Sequence, residues 1–411
     1  MKATIIHNVY LTHKNGLNTV LGLLLKNKNI FFDNGIELCS VTPDDEGVRN
    51  FTSKKKGYKQ YIKDFATSIL TKCAQVFGWG AHIMMIIRSE RFSKKMALKY
   101  IASNPSDDDV VFIHSFFVCY YYLKFRKKKQ KTILVLHNNG DTFKMYRTYY
   151  RALEKSSYYK TLLSYEEYVL ENVDRINFVS ESSRNRFLEL HPSVPSEIVS
   201  FIHNGVDDIP YTKHEKVHDP IEICCVASIT ERKGQRFIVD ALASFNRDCM
   251  PNVHFTIVGD GTIRLELENI VRKCGLESYI SFVGISNNVP GLLSKSDIFI
   301  LPSEDEGLPM SILEAMREGL PIVSTAVGGI PEMVEDGVNG IFIRPSTEGV
   351  LNFLHRINDY DWCLLGYKAR KTYENKFSSK VMILNYCNLL KIRCYFITYY
   401  SYFFLYFLLL L

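Results

Sequence analysis

Short apolar runs alternate with longer segments of helical periodicity along the whole chain of 411 residues. Runs rich in β-branched and aromatic residues are predicted strands, and they fall into two series of six. The first series is 4–6, 36–41, 110–114, 132–136, 175–179 and 198–202, and the second is 221–227, 254–258, 280–283, 298–301, 321–324 and 341–343. Helical patterns lie between the runs, and the longest, 142–173, is predicted as one helix. Such alternation is typical of βαβ units in parallel sheets.

A polar, turn-rich stretch, NGVDDIPYTKHEKVHDP at 204–220, separates the two series. It has no apolar period and therefore predicts a hinge between two domains. We expect two Rossmann-like, doubly wound α/β domains that face a central cleft, because ligands of open α/β sheets bind beyond the carboxyl ends of the strands. The predicted units are a first, acceptor-side domain 1–206, a hinge 207–220, a second, donor-binding domain 221–377, a helix 378–393 that returns to the first domain, and an apolar tail 394–411.

The composition is that of a globular protein, with 46% hydrophobic and 23% charged residues. Residues 1–210 hold 30 Lys and Arg against 21 Asp and Glu, whereas the remainder holds 20 against 23. The basic runs near Lys54, Lys94 and Arg126 suit either anionic lipid headgroups and phosphates or a solvated surface, and both interpretations stay open. No aromatic–basic pattern of a known nucleic-acid module appears, so we expect no nucleic-acid partner.

The ten cysteines are scattered without a CxxC pair, which favours buried thiols in a reducing cytosol over a disulfide framework or a zinc site. The opening MKATIIHNVY is predicted as a strand and not as a signal peptide. From Cys394 the chain reads CYFITYYSYFFLYFLLLL, without a charge. This tail is either a membrane anchor or interfacial segment, or an aberrant tail decoupled from the fold.

Two cations open the second domain's first predicted helix. Arg232 and Lys233 lie just before a helix that starts near Gln235. The helix dipole disfavours cations there, which favours a role in binding a diphosphate together with free backbone amides. The glycine-containing turn with Gly259 and Asp260 is a weaker signal of the same kind, since an ordinary strand–helix turn also explains it.

The stretch PSEDEGLPMSILEAM at 302–316 places two acids around a strand-to-helix turn. Glu306 is predicted at the tip of the loop. Glu314 is predicted in the second turn of a helix 310–319, partly buried beside the apolar face of that helix. A buried carboxylate needs hydrogen-bond donors, and the hydroxyls of a sugar would supply them.

The extended block PSEDEGLPMSILEAMREGLPIVSTAVGGIPEMV resembles the retaining glycosyltransferases of family 4, the group 1 glycosyltransferases of the GT-B fold. HNGVDDIP, RKGQRFIVDAL, VSESSRNRF and LHNNGD resemble further family segments, and NGLNTVLGLLL does so more loosely. The resemblance spans roughly residues 3–390 and is strongest over 221–340.

The resemblance implies a role for each matching position. His137, Glu306 and Lys233 are the expected catalytic residues, with His137 on the first-domain side of the cleft. The expected donor-binding residues are Gly16, Arg232, Lys233, Gly259, Asp260, Glu306, Gly307, Leu308, Pro309, Met310 and Glu314. Lys233 would hold the diphosphate, Glu314 the ribose, and Glu306 the transferred sugar. Ala227 and Ser228 stand where the family often has Gly-Arg, and Arg232 would supply the missing charge.

The function that the resemblance implies is retaining transfer of a hexose from a nucleotide-diphospho-sugar, with no cofactor and no metal. The expected acceptor is a saccharide, in particular a lipid-linked one, in the biosynthesis of a capsule, O-antigen or exopolysaccharide. We expect a cytoplasmic protein at the inner face of the membrane, with peripheral contact through the basic segment 51–100 or the tail. The alternatives are a non-catalytic nucleotide-sugar-binding protein or another GT-B enzyme such as a phosphorylase.

Three further features leave alternatives open. Asp107, Asp108 and Asp109 form a D-x-D pattern, which we interpret as an acidic turn before a strand and not as a metal site. His114 ends a strand next to apolar residues, so structural and functional roles are both compatible with it. The tyrosine-rich segment 146–168 suits an acceptor-side face, a core or a membrane interface.

Overall fold

The computed structural model describes residues 1–8, 16–43, 69–211, 217–246 and 249–392. The strands are β1 Lys2–Ile6, β2 Glu37–Val41, β3 Val110–Ile113, β4 Lys131–Leu136, β5 Arg175–Phe178, β6 Val199–Phe201, β7 Ile221–Val226, β8 Val253–Val258, β9 Ile280–Gly284, β10 Ile298–Leu301, β11 Ile322–Ser324 and β12 Gly340–Phe342.

The helices of the first half are α1 Gly16–Lys26, α2 Lys28–Asp33, α3 with the helical residues 69–76, α4 Gly78–Met85, α5 Arg91–Ala102, α6 Phe116–Phe125, α7 Lys144–Tyr149, α8 Ser157–Asn172 and α9 Glu181–Leu190. Those of the second half are α10 Gln235–Ala243, α11 Arg264–Cys274, α12 Val289–Leu293, α13 Met310–Arg317, α14 Thr347–His355, α15 Trp362–Thr372 and α16 Ser379–Lys391.

Each half of the chain builds one parallel six-stranded sheet. The strand orders are β2-β1-β3-β4-β5-β6 and β12-β11-β10-β7-β8-β9. Helices cover both faces, which explains why strand residues such as Ile5, Phe112 and Phe299 are completely buried. The predicted α/β fold with two doubly wound domains is therefore confirmed.

The strand order fixes where a ligand site lies in each sheet. The direction of winding reverses between β1 and β3 in the first sheet and between β7 and β10 in the second. At such a switch point the loops on the carboxyl side of two neighbouring strands diverge and leave a crevice. The loop after β7 carries Lys233, and the loop after β10 carries Glu306 and leads into α13, which contains Glu314.

The helix predicted over 142–173 is wrong as one element, because α7 ends at Tyr149 and α8 begins at Ser157. Between them Leu153 is completely buried, so the chain turns inward there. The Ser156 hydroxyl accepts a hydrogen bond from the backbone amide of Tyr159 at 3.2 Å and caps the new helix. The apolar period across 142–173 continued through the break and concealed it.

The last helix, α16, lies against the first domain. Lys131 of β4 donates to the backbone carbonyls of Leu390 and Ile392 at 2.9 and 2.5 Å. The ring of Tyr386 packs edge-on against Phe112 of β3 with 5.3 Å between ring centroids. These contacts pack the last described helix against the first sheet.

The start of the hinge is held from the second domain. The buried Arg370 of α15 donates to the backbone carbonyl of Arg317, at the end of α13, and to the carboxylate of Asp208 at 2.7 Å. The Tyr373 hydroxyl donates to the carbonyl of Val206 at 3.1 Å. The hinge is therefore anchored where it leaves the first sheet.

Within the described ranges, no helix is both long enough and apolar enough to cross a bilayer. The tail 394–411 and the basic run at Lys54 lie outside the described residues. The predictions made for them stay predictions.

We expect Tyr386→Ala to destabilise the protein by about 3–5 kcal/mol, because it removes a buried ring and leaves a cavity between α16 and the first sheet. Leu384→Ala, on the exposed side of the same helix, is the matched control and should change stability by about 0.5 kcal/mol or less. Urea unfolding measures both. Equal effects of the two substitutions would contradict the packing of α16 described here.

Candidate functional site

The centre of the second domain's switch point is an ion pair between two loops. The Lys233 ammonium, in the turn after β7, lies 2.5 Å from the Glu306 carboxylate in the loop after β10. Ser303 donates its hydroxyl to the same carboxylate oxygen at 2.7 Å. Glu306 is 6% exposed, so the acid predicted at the tip of this loop is buried. The pair fixes the two loops against each other.

The Arg232 side chain lies along the loop that carries Glu306. Its guanidinium donates to the backbone carbonyl of Asp305 and lies 3.9 Å from the Glu306 carboxylate. The Glu304 amide in turn donates to the Arg232 carbonyl at 2.9 Å. The side chain of Arg232 is still 44% exposed, so its remaining donors are accessible to an anion.

The turn at Gly328 and Gly329 packs against the loop 307–310. The Gly329 amide donates to the Gly307 carbonyl at 2.8 Å. A Cβ on Gly328 would overlap the Glu306 carbonyl, and Gly328 has a φ of +55°, so only glycine fits there. Leu308 is buried, and Pro309 leads into α13. The close approach of this Gly-Gly turn therefore fixes the position of the loop that carries Glu306.

Glu314 lies in the second turn of α13, as predicted, and is partly buried. Its carboxylate has no hydrogen-bond or ion-pair partner among the residues that the structure describes. Burial raises the pKa of this carboxyl, and Arg317 opposes the rise. A carboxylate in this setting is positioned to accept hydrogen bonds from a ligand.

The remaining predicted donor residues lie around the same crevice. Gly16 opens α1 of the first domain, and a Cβ there would lie 3.3 Å from the side chain of Met310 in the second domain. Gly259 has a φ of +138°, and a Cβ there would overlap the Ala227 carbonyl. A glycine is thus required by packing between the loops after β7 and β8. Asp260 is exposed beside it.

His137 follows β4 and forms a pair with His114, which follows β3. The Nδ1 of His114 lies 3.0 Å from the Nε2 of His137, so one of the two nitrogens donates and the other accepts. Burial lowers the pKa of His137 to about 4. Burial, with His137 and His7 nearby, also lowers the pKa of His114 well below its usual value. Both rings are therefore neutral at pH 7, and the hydrogen bond between them fixes the orientation of His137.

Asp305 joins the two domains across the cleft. Asn139 and Lys144 of the first domain contact the same carboxylate oxygen at 2.9 and 3.0 Å. The loop with Glu306 and the loop with His137 are thus held close to each other.

Glu332 makes a second contact between the domains. Its carboxylate accepts from the backbone amides of Glu181 and Ser182, both at 2.8 Å, at the first turn of α9. The Nε2 of His203 lies 2.7 Å from the same carboxylate. Burial alone would raise the pKa of Glu332, but these partners outweigh it and lower the pKa. An anion at a helix N-terminus is stabilised by the dipole and the free amides.

Sequence reasoning did not identify Ser303, Asp305 or Glu332 as parts of this region. Glu332 lies within the quoted GGIPEMV, so an acid in a resembling block was an available signal. Asp305 lies within the quoted PSEDEGLPMSILEAM in the same way, but its contact between the domains could not be predicted, because its partners Asn139 and Lys144 are remote in sequence.

No cluster of three or more His, Cys, Asp or Glu side chains suited to a metal ion occurs within the part of the chain that the structure describes. Asp109 of the D-x-D pattern accepts a hydrogen bond from the Ser106 amide at 3.0 Å, just before β3. It therefore lies at the amino edge of the first sheet, opposite the cleft.

Comparison with known proteins agrees with this architecture. Residues 211–356 match the family described as Glycosyl transferases group 1, and residues 77–208 match the one described as Glycosyltransferase Family 4. The amylovoran biosynthesis glycosyltransferase AmsK of Erwinia amylovora is 30% identical over 158 residues, which are 36% of this chain and 38% of AmsK. The N-acetyl-alpha-D-glucosaminyl L-malate synthase of Bacillus anthracis is 27% identical over 229 residues, 53% of this chain and 59% of that protein.

Solved structures show the same fold over nearly the whole chain. HepE of Anabaena, in complex with UDP and glucose, superposes with a TM-score of 0.63 at 16% identity, over 96% of this chain and 100% of HepE. The apo lipopolysaccharide outer core galactosyltransferase WaaB superposes with a TM-score of 0.59 at 15% identity, over 95% of this chain and 100% of WaaB. The fold is GT-B.

The aligned regions of AmsK and the malate synthase span 38% and 59% of their own lengths. The two family matches lie side by side along the chain, over 77–208 and 211–356, and the solved structures share its fold. Relatives such as AmsK and the colanic acid biosynthesis protein WcaL of Escherichia coli carry names from polysaccharide biosynthesis.

We expect the free energy of unfolding to fall as pH falls from 7 to 5. His114 and His137 have lowered pKa values in the folded protein, so the unfolded chain binds protons in this range and the folded chain does not. For a histidine whose pKa is lowered to about 4 in the folded protein, the full stability is present above the pKa of the unfolded chain. The free energy of unfolding is about 2 kcal/mol lower at pH 5. His137→Gln should reduce this pH dependence in urea unfolding, and the exposed His355→Gln should not. Identical profiles for wild type and His137→Gln would contradict a His137 ring that stays neutral in the folded protein.

We expect Glu332→Gln to accelerate hydrogen exchange of the Glu181 and Ser182 amides, because a neutral side chain accepts more weakly than a carboxylate at a helix N-terminus. Exchange measured by NMR or mass spectrometry resolves this region. Glu335→Gln, an exposed residue three positions on, is the control. Unchanged exchange in Glu332→Gln would show that the contact between the domains is absent in solution.

Proposed function

We propose that the protein transfers a hexose from a nucleotide-diphospho-sugar to an acceptor hydroxyl, with retention at the anomeric carbon. The observation that carries the proposal is the crevice at the second switch point, where Lys233 and Glu306 meet and α13 presents a Glu314 carboxylate without a partner among the described residues. The segment that matches the group 1 glycosyltransferases, 211–356, contains all three residues.

The donor's diphosphate would lie at Lys233 and the exposed part of Arg232. Phosphate oxygens would compete with Glu306 for the Lys233 ammonium, because both are anionic acceptors for the same donor. As the nucleoside diphosphate leaves, negative charge grows on its terminal phosphate. A fixed cation and nearby amides stabilise that charge without reorganising during the reaction.

Glu314 would accept hydrogen bonds from the two ribose hydroxyls. Because its pKa is raised, this role suits neutral pH better than low pH. Glu306, freed in part from Lys233, would hold hydroxyls of the transferred sugar together with the backbone of 307–310. HepE, which shares the fold, was crystallised with UDP-glucose, which supports a nucleotide-sugar donor here.

The first-domain side of the crevice would receive the acceptor. His137 is neutral at pH 7 and fixed by His114, so it can donate or accept a hydrogen bond at the reacting centre. We assign no enzyme nucleophile. A departing phosphate oxygen would take the proton of the acceptor hydroxyl as the new glycosidic bond forms, and neither a metal nor a cofactor takes part in this scheme.

The acceptor that we propose is a saccharide on a lipid carrier, in the assembly of a surface polysaccharide at the cytoplasmic face of the membrane. The names of AmsK and WcaL support polysaccharide assembly.

A panel of UDP-, GDP- and ADP-sugars tests the proposal, with release of the nucleoside diphosphate as the readout and NMR of the product for the anomeric configuration. We expect Lys233→Ala to lower kcat by about 10²–10³-fold. Glu314→Gln should weaken donor binding by about 10–100-fold, the worth of charged hydrogen bonds.

Lys273→Ala and Glu335→Gln, exposed positions of the same domain, are the matched controls and should retain wild-type rates. Donor binding without any turnover in the wild type would argue instead for a non-catalytic sugar-nucleotide-binding protein. Wild-type activity in Lys233→Ala would remove Lys233 from the mechanism.

A further inference from the structure

The described part of the first domain concentrates its exposed apolar side chains in one short segment. Seven of the 22 exposed large hydrophobic side chains in the described residues fall within 69–87. They are Ile69, Val76, Phe77, Trp79, Ile83, Ile86 and Ile87. Exposed apolar residues scattered singly need no explanation, but a contiguous group of this size marks an interaction site.

The geometry of the segment brings most of these side chains to one side. α4, a π-helical turn at Ile86–Glu90 and α5 follow one another without a break. Trp79, Ile83 and Ile87 are spaced by four residues, so they share one face of this rod. The opposite face is buried, with Met84 and Met85 completely inaccessible. The rings of Phe77 and Trp79 stack at the end of the exposed face, 6.0 Å apart at 19°.

The charges that α3 and this rod expose are all positive. Residues 69–102 contain six Lys and Arg and one acid, Glu90. Glu90 is 6% exposed and accepts the Tyr121 hydroxyl, so it does not reach the surface. The exposed bases are Lys72, Arg88, Arg91, Lys94 and Lys95. We call these bases and the seven apolar residues together the apolar–basic face.

We propose that the apolar–basic face docks the protein on an anionic lipid bilayer. The aromatic and aliphatic side chains would enter the boundary between headgroups and acyl chains, and the bases would meet lipid phosphates. Aromatic and aliphatic residues beside a row of Lys and Arg are the composition of helices that lie in the membrane interface. The exposed charges here have one sign, which is complementary to the phosphates of anionic lipids.

The helix that carries part of this face also reaches the carboxyl edge of the first sheet. Asn8, which follows β1 at the carboxyl edge of the first sheet, donates to the Ser93 hydroxyl of α5 at 2.7 Å. Docking through this face would therefore hold at the membrane a helix that contacts the carboxyl edge of the first sheet. That a lipid-linked acceptor is presented there rests on the proposed function, whereas membrane docking itself does not depend on transfer activity.

The test is co-sedimentation of the full chain with vesicles of phosphatidylcholine and phosphatidylglycerol, compared with phosphatidylcholine alone. We expect binding to the anionic vesicles that weakens as salt rises from about 0.1 to about 0.5 M. The variant Phe77→Ser/Trp79→Ser/Ile87→Ser should lose binding at least about tenfold. Arg88→Gln/Arg91→Gln/Lys94→Gln should weaken it by about fivefold for each charge.

Two control variants carry matched changes on the second domain. Leu265→Ser/Ile285→Ser removes apolar side chains that are 73% and 70% exposed, and Arg272→Gln/Lys273→Gln/Lys295→Gln removes three exposed bases. Both should bind vesicles as the wild type does. Wild-type binding by the face variants, equal losses in the controls, or no binding by the wild type would each overturn the proposal. Nucleoside diphosphate release without an acceptor should be the same in all variants, so a failure of the proposed function is seen separately.

Discussion

The ion pair between Lys233 and Glu306 is the contact on which the site depends. It joins the loops that diverge at the second domain's switch point, and Ser303 holds the acid from the other side. A lone buried carboxylate would be unstable, whereas a paired and hydrogen-bonded one is tolerated. The pair therefore allows an acid and a base to be kept at the floor of the crevice before any ligand arrives. A diphosphate offers the lysine an alternative anion, which would release the acid toward the sugar.

Several polar contacts cross the cleft between the described parts of the two domains. Asp305 receives Asn139 and Lys144, and Glu332 receives the first turn of α9 together with His203. Both acids come from the second domain and all of these partners from the first. Contacts of this kind are exchanged with water more readily than apolar packing, and interfaces between domains of this character commonly permit relative motion. The hinge, by contrast, is anchored by Arg370 within the second domain.

Local sequence patterns were sufficient to predict the strands of both sheets. All twelve strands appear within a residue or two of the predicted runs, because strands buried on both faces are continuous apolar runs. The position of Glu314 on α13 followed from helical periodicity in the same way. The break before Ser157 did not, because an apolar period continued across it and only the cap at Ser156 marks the new helix. The contacts that Glu332 and Asp305 make between the domains could not be predicted from local pattern, since their partners lie more than a hundred residues away. The pairing of His114 with His137 depends on the neighbouring positions of β3 and β4, which the strand order decides.

The most direct test of the account is a crystal structure of the protein with the nucleoside diphosphate of its donor bound. The account predicts a terminal phosphate oxygen within about 3 Å of the Lys233 ammonium, ribose hydroxyls at the Glu314 carboxylate, and a longer separation between Lys233 and Glu306 than in the ligand-free protein. A nucleotide bound elsewhere, with the Lys233–Glu306 pair unchanged and Glu314 still without a partner, would contradict it.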